Sequence, residues 1–212
     1  MASGVEAGVD PNIEPHIKKQ GVIAIILRPS ENNNGTYSYY LLDHNHYSQT
    51  ESGIPKTVHA GIGLMSETMK EGETSDDYLR VLARGYVEEI MGQSPEGVGE
   101  DVFSGLVEEA RANMESKLTE IGTFTHDFNY DNPDKYHTDP NTRGFVHVFV
   151  DDDRVMDVGD INQEEVVYAG YLGNADLDHK YIHFRSGYDT RLLLGSPELQ
   201  DILYQNNISI DA

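Results

Sequence analysis

The chain has 212 residues, enough to bury a hydrophobic core, and sets 37 Asp and Glu against 15 Lys and Arg for a net charge of −22. That balance argues against a binder of duplex nucleic acid, which needs a basic footprint to displace counterions, and a phosphate-bearing substrate would need divalent cations to bridge it to so acidic a surface. No apolar run approaches the roughly 20 residues of a membrane helix, no signal-peptide pattern opens the chain, and the absence of cysteine excludes disulfides and thiolate metal sites. Cytoplasmic is the expected compartment, and the bulk of the charge reads as solubility or adaptation to salt.

Residues 1–15 carry small residues, two prolines and no pattern, and read as a flexible N-terminal arm ahead of a single domain over 16–212. The branched-aliphatic run GVIAIILR (21–28) predicts a central strand covered on both faces. PSENNNGT is turn chemistry, and YSYYLLD (37–43) predicts a second strand that closes a hairpin. Residues 44–56 read as a polar loop and TVHAGIGL (57–64) as a short strand ending in glycines. Thr74 or Ser75 can cap a helix, with Asp77 three residues after Thr74 and Asp76 in the first turn. Leu79, Leu82, Ala83, Tyr86 and Ile90 then form one apolar stripe, and Gly92 ends it.

A second helix is predicted from about 101 to 116, with Val102, Phe103, Leu106, Val107, Ala110 and Met114 inward. Strands follow at 118–124, 144–150 and 164–172, with a long polar loop before the second of them, and a capped helix spans 196–205. Helices interleaved with a hairpin-containing sheet predict an α/β fold with a mixed sheet between helical layers.

The element order over residues 18–172, the glycine-ended strand HAGIG, the Gly-Glu-Thr at 72–74 and the helix ARGYVEEIMG resemble the Nudix hydrolases. The signature of that family runs Gly, five residues, Glu, seven residues, Arg-Glu, an aliphatic residue, any residue, Glu-Glu, any residue, Gly. Arg84, Glu88 and Glu89 match its end at the correct spacing. The glutamate expected after Arg84 is Gly85, and the closing glycine, Gly92, comes one residue late. Glu73 stands 11 positions before Arg84 instead of eight, and Glu67, with five residues between it and Gly61, stands 17 before it. The Glu73 alignment is preferred, because three extra residues add close to one helical turn and keep the stripe in phase.

The resemblance implies a Nudix-like α/β/α sandwich and a pyrophosphohydrolase that uses Mg²⁺ or Mn²⁺ on a small nucleotide substrate, a nucleoside diphosphate linked to another moiety. It casts Arg84, Glu88 and Glu89 as catalytic and Glu73, Glu88 and Glu89 as metal-binding. Hard cations favour carboxylate oxygens, and neighbouring Glu88 and Glu89, about 100° apart on a helix, can reach one flank. Arg84 could hold Glu88 one turn on, or a loop acid such as Glu73. Gly85 removes one ligand and lowers helix propensity by about 1 kcal/mol. A glycine inside a helix points to a packing reason, such as a close strand. Glu67 and Glu71 read as loop surface, the other reading being that one of them replaces the lost ligand.

The echo GLVEEA at 105–110 has no arginine one turn before its first glutamate, so Glu108 and Glu109 read as a solvated face. His147 alternates with Val146 and Val148 and reads as a hydrogen-bonded sheet histidine. His126 and His137 flank the polar loop, and Arg185 and Arg191 read as a turn with two solvated charges. No P-loop, Rossmann or Gly-x-Ser-x-Gly motif is present. Three readings stand: a metal-dependent hydrolase, a Nudix-like ligand-binding or protein-interaction domain without turnover, and an acidic α/β domain with a histidine metal site at His44, His46 and His59. No membrane or duplex nucleic-acid partner is expected, and the oligomeric state stays open between a monomer and a homodimer.

Overall fold

Val22 to Leu27 are at most 1% exposed, as an uninterrupted aliphatic run requires when both faces of a strand are covered. In the computed structural model, which describes residues 17, 19–30, 35–49, 55–128, 142–156, 166–173 and 190–211, that run is the centre of β1 (Lys19–Pro29). The backbone alone is described for 44–49, 55–61 and 166–172. β2 (Tyr37–Gln49), β3 (Pro55–Gly63), β4 (Met65–Thr68), β5 (Thr119–Phe128), β6 (Thr142–Val150) and β7 (Val166–Leu172) complete a seven-stranded sheet.

The sheet runs β3-β2-β1-β6-β5, with β4 beside β1 and β7 beside β2. β1 and β6 are parallel, with Lys19 opposite Thr142 and Leu27 opposite Val150, and every other pair is antiparallel. The sheet is therefore mixed. β1 divides its antiparallel pairing between two strands. Its later residues, Ile26–Pro29, pair with β2, and its earlier residues, Gly21–Ala24, pair with β4. That division carries the chain from β4 directly under the first helix.

The helical elements are a 3-10 turn (Ser75–Asp77), α1 (Tyr78–Gly85) running on as a π turn (Tyr86–Ile90), α2 (Pro95–Val98), α3 (Glu100–Lys117), α4 (Thr190–Leu194) and α5 (Pro197–Gln205). One face of the sheet packs on α1 and α3 through Val22, Ala24, Ile26, Leu82, Val87, Phe103 and Phe149. The other face packs on α4 and α5 through Ile23, Ile25, Val146, Val148, Leu193 and Leu199. The expected α/β architecture, a mixed sheet between helices, is what the chain adopts.

Several details differ from the sequence expectation. The polar stretch 44–56 is not a loop throughout: β2 runs to Gln49 and β3 begins at Pro55, because an antiparallel ladder from Leu42 opposite Gly63 to Gln49 opposite Pro55, with one shift of register between His44 and Asn45, holds the backbone extended. β4 and α4 were not expected at all. Val102 is 56% exposed rather than inward, while Phe103, Val107 and Met114 are buried. Val81 and Val87, outside the predicted stripe, are fully buried because α1 is clasped by β4 and α3 as well as by the sheet. The arm at 1–15, most of the polar loop, His137 and Arg185 lie outside the described residues, as do the side chains of His44, His46 and His59. Among the described residues no helix is long and apolar enough to cross a membrane.

Candidate functional site

The turn at 70–77 is built from hydrogen bonds that its own sequence supplies. Thr74 N and Oγ1 donate to Asp77 Oδ2 at 2.9 and 3.0 Å, and Asp77 N donates back to Thr74 O at 3.0 Å. This is the reciprocal cap expected from Thr74 and Asp77. The two hydrogen bonds from Thr74 hold the Asp77 carboxyl below its ordinary value. Gly72, at φ +86°, makes the preceding bend.

Arg84 is the hub. It is 5% exposed and points from α1 towards the sheet. Nη1 donates to Glu73 Oε1, and Nη2 donates to the Thr68 carbonyl at 2.6 Å and more weakly to Glu67 Oε1 at 3.4 Å. Glu73 Oε2 accepts a further hydrogen bond from Lys70 N at 2.6 Å. One guanidinium thus ties the strand β4, the capping turn and α1 together, a use suited to the planar fork of arginine. Of the two partners the spacing offered, Arg84 takes the loop acid Glu73. Its Nε is buried without a hydrogen-bond partner among the described residues.

Glu67 is not loop surface. It lies on β4, its side chain 16% exposed, opposite Val22 in the ladder with β1. Burial raises its carboxyl above the ordinary value. The Arg84 charge works against that, and the nearby Glu88 carboxylate adds to it. Glu67 also explains Gly85: a Cβ on Gly85 would stand 3.2 Å from both Glu67 Cβ and Glu67 Oε2. A close strand is the reason for the glycine, as its position inside a helix implied, and the interval between Gly61 and Glu67 was the sequence signal that pointed to Glu67 itself.

Glu88 and Glu89 sit in the π turn, both partly exposed. Met91 N donates to Tyr86 O at 3.1 Å and Gln93 N to Val87 O at 3.0 Å, after which Gly92 at φ +66° ends the helix. A π turn closes over one more residue than an α turn. It therefore accommodates the glycine that arrives one position later than the family signature has it. The Glu88 side chain is 30% exposed, with Lys70 Nζ 3.9 Å from its Oε1. Glu71 is exposed in the turn before Gly72. Arg84, Glu73, Glu67 and Glu88 are thus brought to one flank of the helix. No set of three or more His, Asp or Glu among the described residues converges as ready metal ligands.

The echo motif behaves as expected. Glu108 and Glu109 are exposed, and Glu108 pairs on the surface with Arg111 at 2.9 Å and Arg80 at 3.3 Å. His147 faces opposite to Val146 and Val148, and its Nδ1 lies 2.6 Å from Glu120 Oε1. The Tyr78 ring stacks on the imidazole at 3.9 Å between centroids and 10° between planes. The pair lines a cavity of about 520 Å³ at the start of α1 together with Phe124, Phe145 and Asp76. A second cavity, of about 500 Å³, opens between Met91 and α3. Neither of the two is lined by the acids around Arg84.

No protein-family model matches the sequence, and no curated protein matches it. Among solved structures, the chain is similar to the NUDIX domain of Shewanella oneidensis NrtR complexed with ADP ribose, at 11% identity over 94% of this chain and 92% of that one, with a TM-score of 0.46. It is also similar to a NUDIX hydrolase from Alicyclobacillus acidocaldarius, at 15% identity over 92% and 98% and a TM-score of 0.44. A third is the C. elegans Ap4A hydrolase, at 11% identity over 89% and 96% and a TM-score of 0.41. At these values the likeness lies in the arrangement of elements and assigns no role to any residue.

Proposed function

We propose that the chain is a Nudix-type, divalent-cation-dependent pyrophosphohydrolase that cleaves a nucleoside diphosphate linked to another moiety. The observation that carries this reading is the buried Arg84 guanidinium, fixed between Glu73 and the Thr68 carbonyl two residues before the π turn that presents Glu88 and Glu89. A buried arginine is expensive to desolvate, and here its charge is spent on holding acids and strand in one geometry. π turns within α-helices occur often at functional sites.

On this reading Glu88 and Glu89 hold Mg²⁺ or Mn²⁺ and Arg84 orients the flank. Glu73 helps chiefly by fixing the turn, since both of its oxygens are already engaged. The donor set suits Mg²⁺, which keeps several waters and is held by one or two carboxylates together with substrate phosphates rather than by an all-protein cage. Bound there, the ion would neutralise phosphate oxygens and acidify a water. With a net charge of −22 the protein needs such a bridge to accept a polyanion at all.

A ligand-binding or protein-interaction domain without turnover is the second reading. It is favoured by Gly85 in place of a glutamate and by Lys70, a cation of the protein's own beside Glu88. One experiment separates the two: a panel of nucleoside diphosphates linked to sugars, nucleosides or alkyl groups, scored for formation of the nucleoside monophosphate with Mg²⁺ or Mn²⁺. Cleavage of at least one compound, lost in Glu88→Gln/Glu89→Gln, is the expected result. Binding of the cation with cleavage of none would leave the second reading.

A further inference from the structure

Position 85 is a glycine on the flank of α1 that carries the acids, and the room its side chain would take is filled. The nearest atoms to a Cβ built there are Glu67 Cβ and Oε2, each at 3.2 Å, and Glu67 Cγ at 3.5 Å. We propose that Glu67, reaching across from β4, supplies to the helix flank the carboxylate that position 85 lacks, and is a ligand of the divalent cation there. The proposal rests on the hydrolase reading above and extends it to a residue on a different element.

Three features of the geometry support the assignment. First, Glu67 is anchored: its Oε1 accepts from Arg84 Nη2, and the same Nη2 is bound to the carbonyl of the next residue, Thr68. The strand therefore cannot slide along the helix without breaking a buried guanidinium contact. Second, its other oxygen, Oε2, is the one directed at Gly85, and it accepts no hydrogen bond from the described residues. An acidic side chain with one oxygen tethered and the other turned to the helix flank is arranged to bind a hard cation. Third, Glu88 follows Arg84 by four residues, about one helical turn, so it stands on the same flank as the arginine that holds Glu67.

The arrangement also accounts for the cost of the glycine. Gly85 weakens α1 by about 1 kcal/mol relative to alanine, and any side chain there would press on both the stem of Glu67 and its Oε2. Strand glutamate and helix glycine are two halves of one substitution: the carboxylate has moved from the helix to the strand, and the helix has given up its side chain to admit it.

The test is Mn²⁺ binding followed by electron paramagnetic resonance, with Tm measured on the same samples, for the parent, Glu67→Gln, Glu67→Ala, Gly85→Glu, Glu67→Ala/Gly85→Glu and Glu88→Gln. Glu67→Gln keeps an oxygen for Arg84 and controls for folding. The expected result is a loss of Mn²⁺ affinity of about 10- to 100-fold in Glu67→Gln, comparable with Glu88→Gln. Gly85→Glu alone should lower Tm. Glu67→Ala/Gly85→Glu, which returns the carboxylate to the helix and leaves only the Cβ67 contact to relax, should recover Mn²⁺ affinity that Glu67→Ala lacks. Parent-like Mn²⁺ binding in Glu67→Gln together with its loss in Glu88→Gln would overturn the assignment of Glu67 and leave the hydrolase reading intact. A parent that binds no Mn²⁺ would overturn both.

Discussion

Arg84 reaches back across eleven positions to Glu73 and closes the capping turn onto the helix that follows it. The arginine side chain is 6% exposed and the glutamate 15%. Breaking a buried pair from one side strands the other charge. Arg84→Met should therefore destabilise the protein by about 3 kcal/mol, the lower end of the range for buried pairs, since the two glutamates keep some contact with water. Urea unfolding followed by circular dichroism measures it. Arg84→Lys should lose a large share of that stability too, because an ammonium cannot bridge Glu73 and the Thr68 carbonyl together. A lysine variant as stable as the parent would remove the fork from the explanation.

Tyr39 provides a prediction at alkaline pH. It is 1% exposed in the core beneath α4 and α5, and burial pushes its hydroxyl up to about 12 from 10.0. The folded value is raised, so the contribution to stability is complete below pH 10 and is lost as pH rises towards 12. The unfolded chain gives up the proton first, at a slope of about 1.4 kcal/mol per pH unit. Tyr39→Phe should flatten this limb of the pH–Tm curve. An unchanged alkaline slope in the variant would show that another group controls it.

Asp77 acts at the other end of the scale. Its carboxyl is held low by hydrogen bonds from Thr74 N and Oγ1. The folded value is depressed, so its stabilising effect is present above the ordinary carboxylate value and disappears as pH falls through the folded one. The Tm gap between the parent and Asp77→Asn should shrink as the solution is acidified from about pH 5 to pH 3. Because Asp77 is partly exposed the effect is small, and raising the salt concentration should leave most of it, since hydrogen bonds rather than distant charges cause it.

Gly122 faces α5, and a Cβ there would come within 2.8 to 2.9 Å of three carbons of Ile202. Gly122→Ala should cost about 1 to 3 kcal/mol by overpacking. Ile202→Ala in the same chain should return part of that loss, giving a coupling energy in a double-mutant cycle. Additive effects of the two changes would mean that the helix and the strand do not press on each other at this point.

The sequence reading was strongest where a local rule and the tertiary environment agree. The aliphatic run of β1, the Thr74–Asp77 cap, the helix end at Gly92 and the outward face of Glu108 and Glu109 each follow from periodicity or from hydrogen bonds within a few residues. It was weakest in the polar hairpin at 44–56, where a backbone ladder overrides side-chain composition, and at Val102, where an apolar residue stays in solvent.

By itself, then, the order of residues determined the α/β class with its mixed sheet, the span of the acidic helix and the presence of Arg84, Glu88 and Glu89 at one end of it, because these depend on contacts within a turn or two of chain. Only the tertiary structure decided which acid Arg84 holds and why residue 85 has no side chain. Both answers lie with Glu67 and Glu73, 17 and 11 positions away in sequence. They reach the helix because β1 shares its pairing between β2 and β4, a choice made by long-range strand registry that no short window of sequence contains.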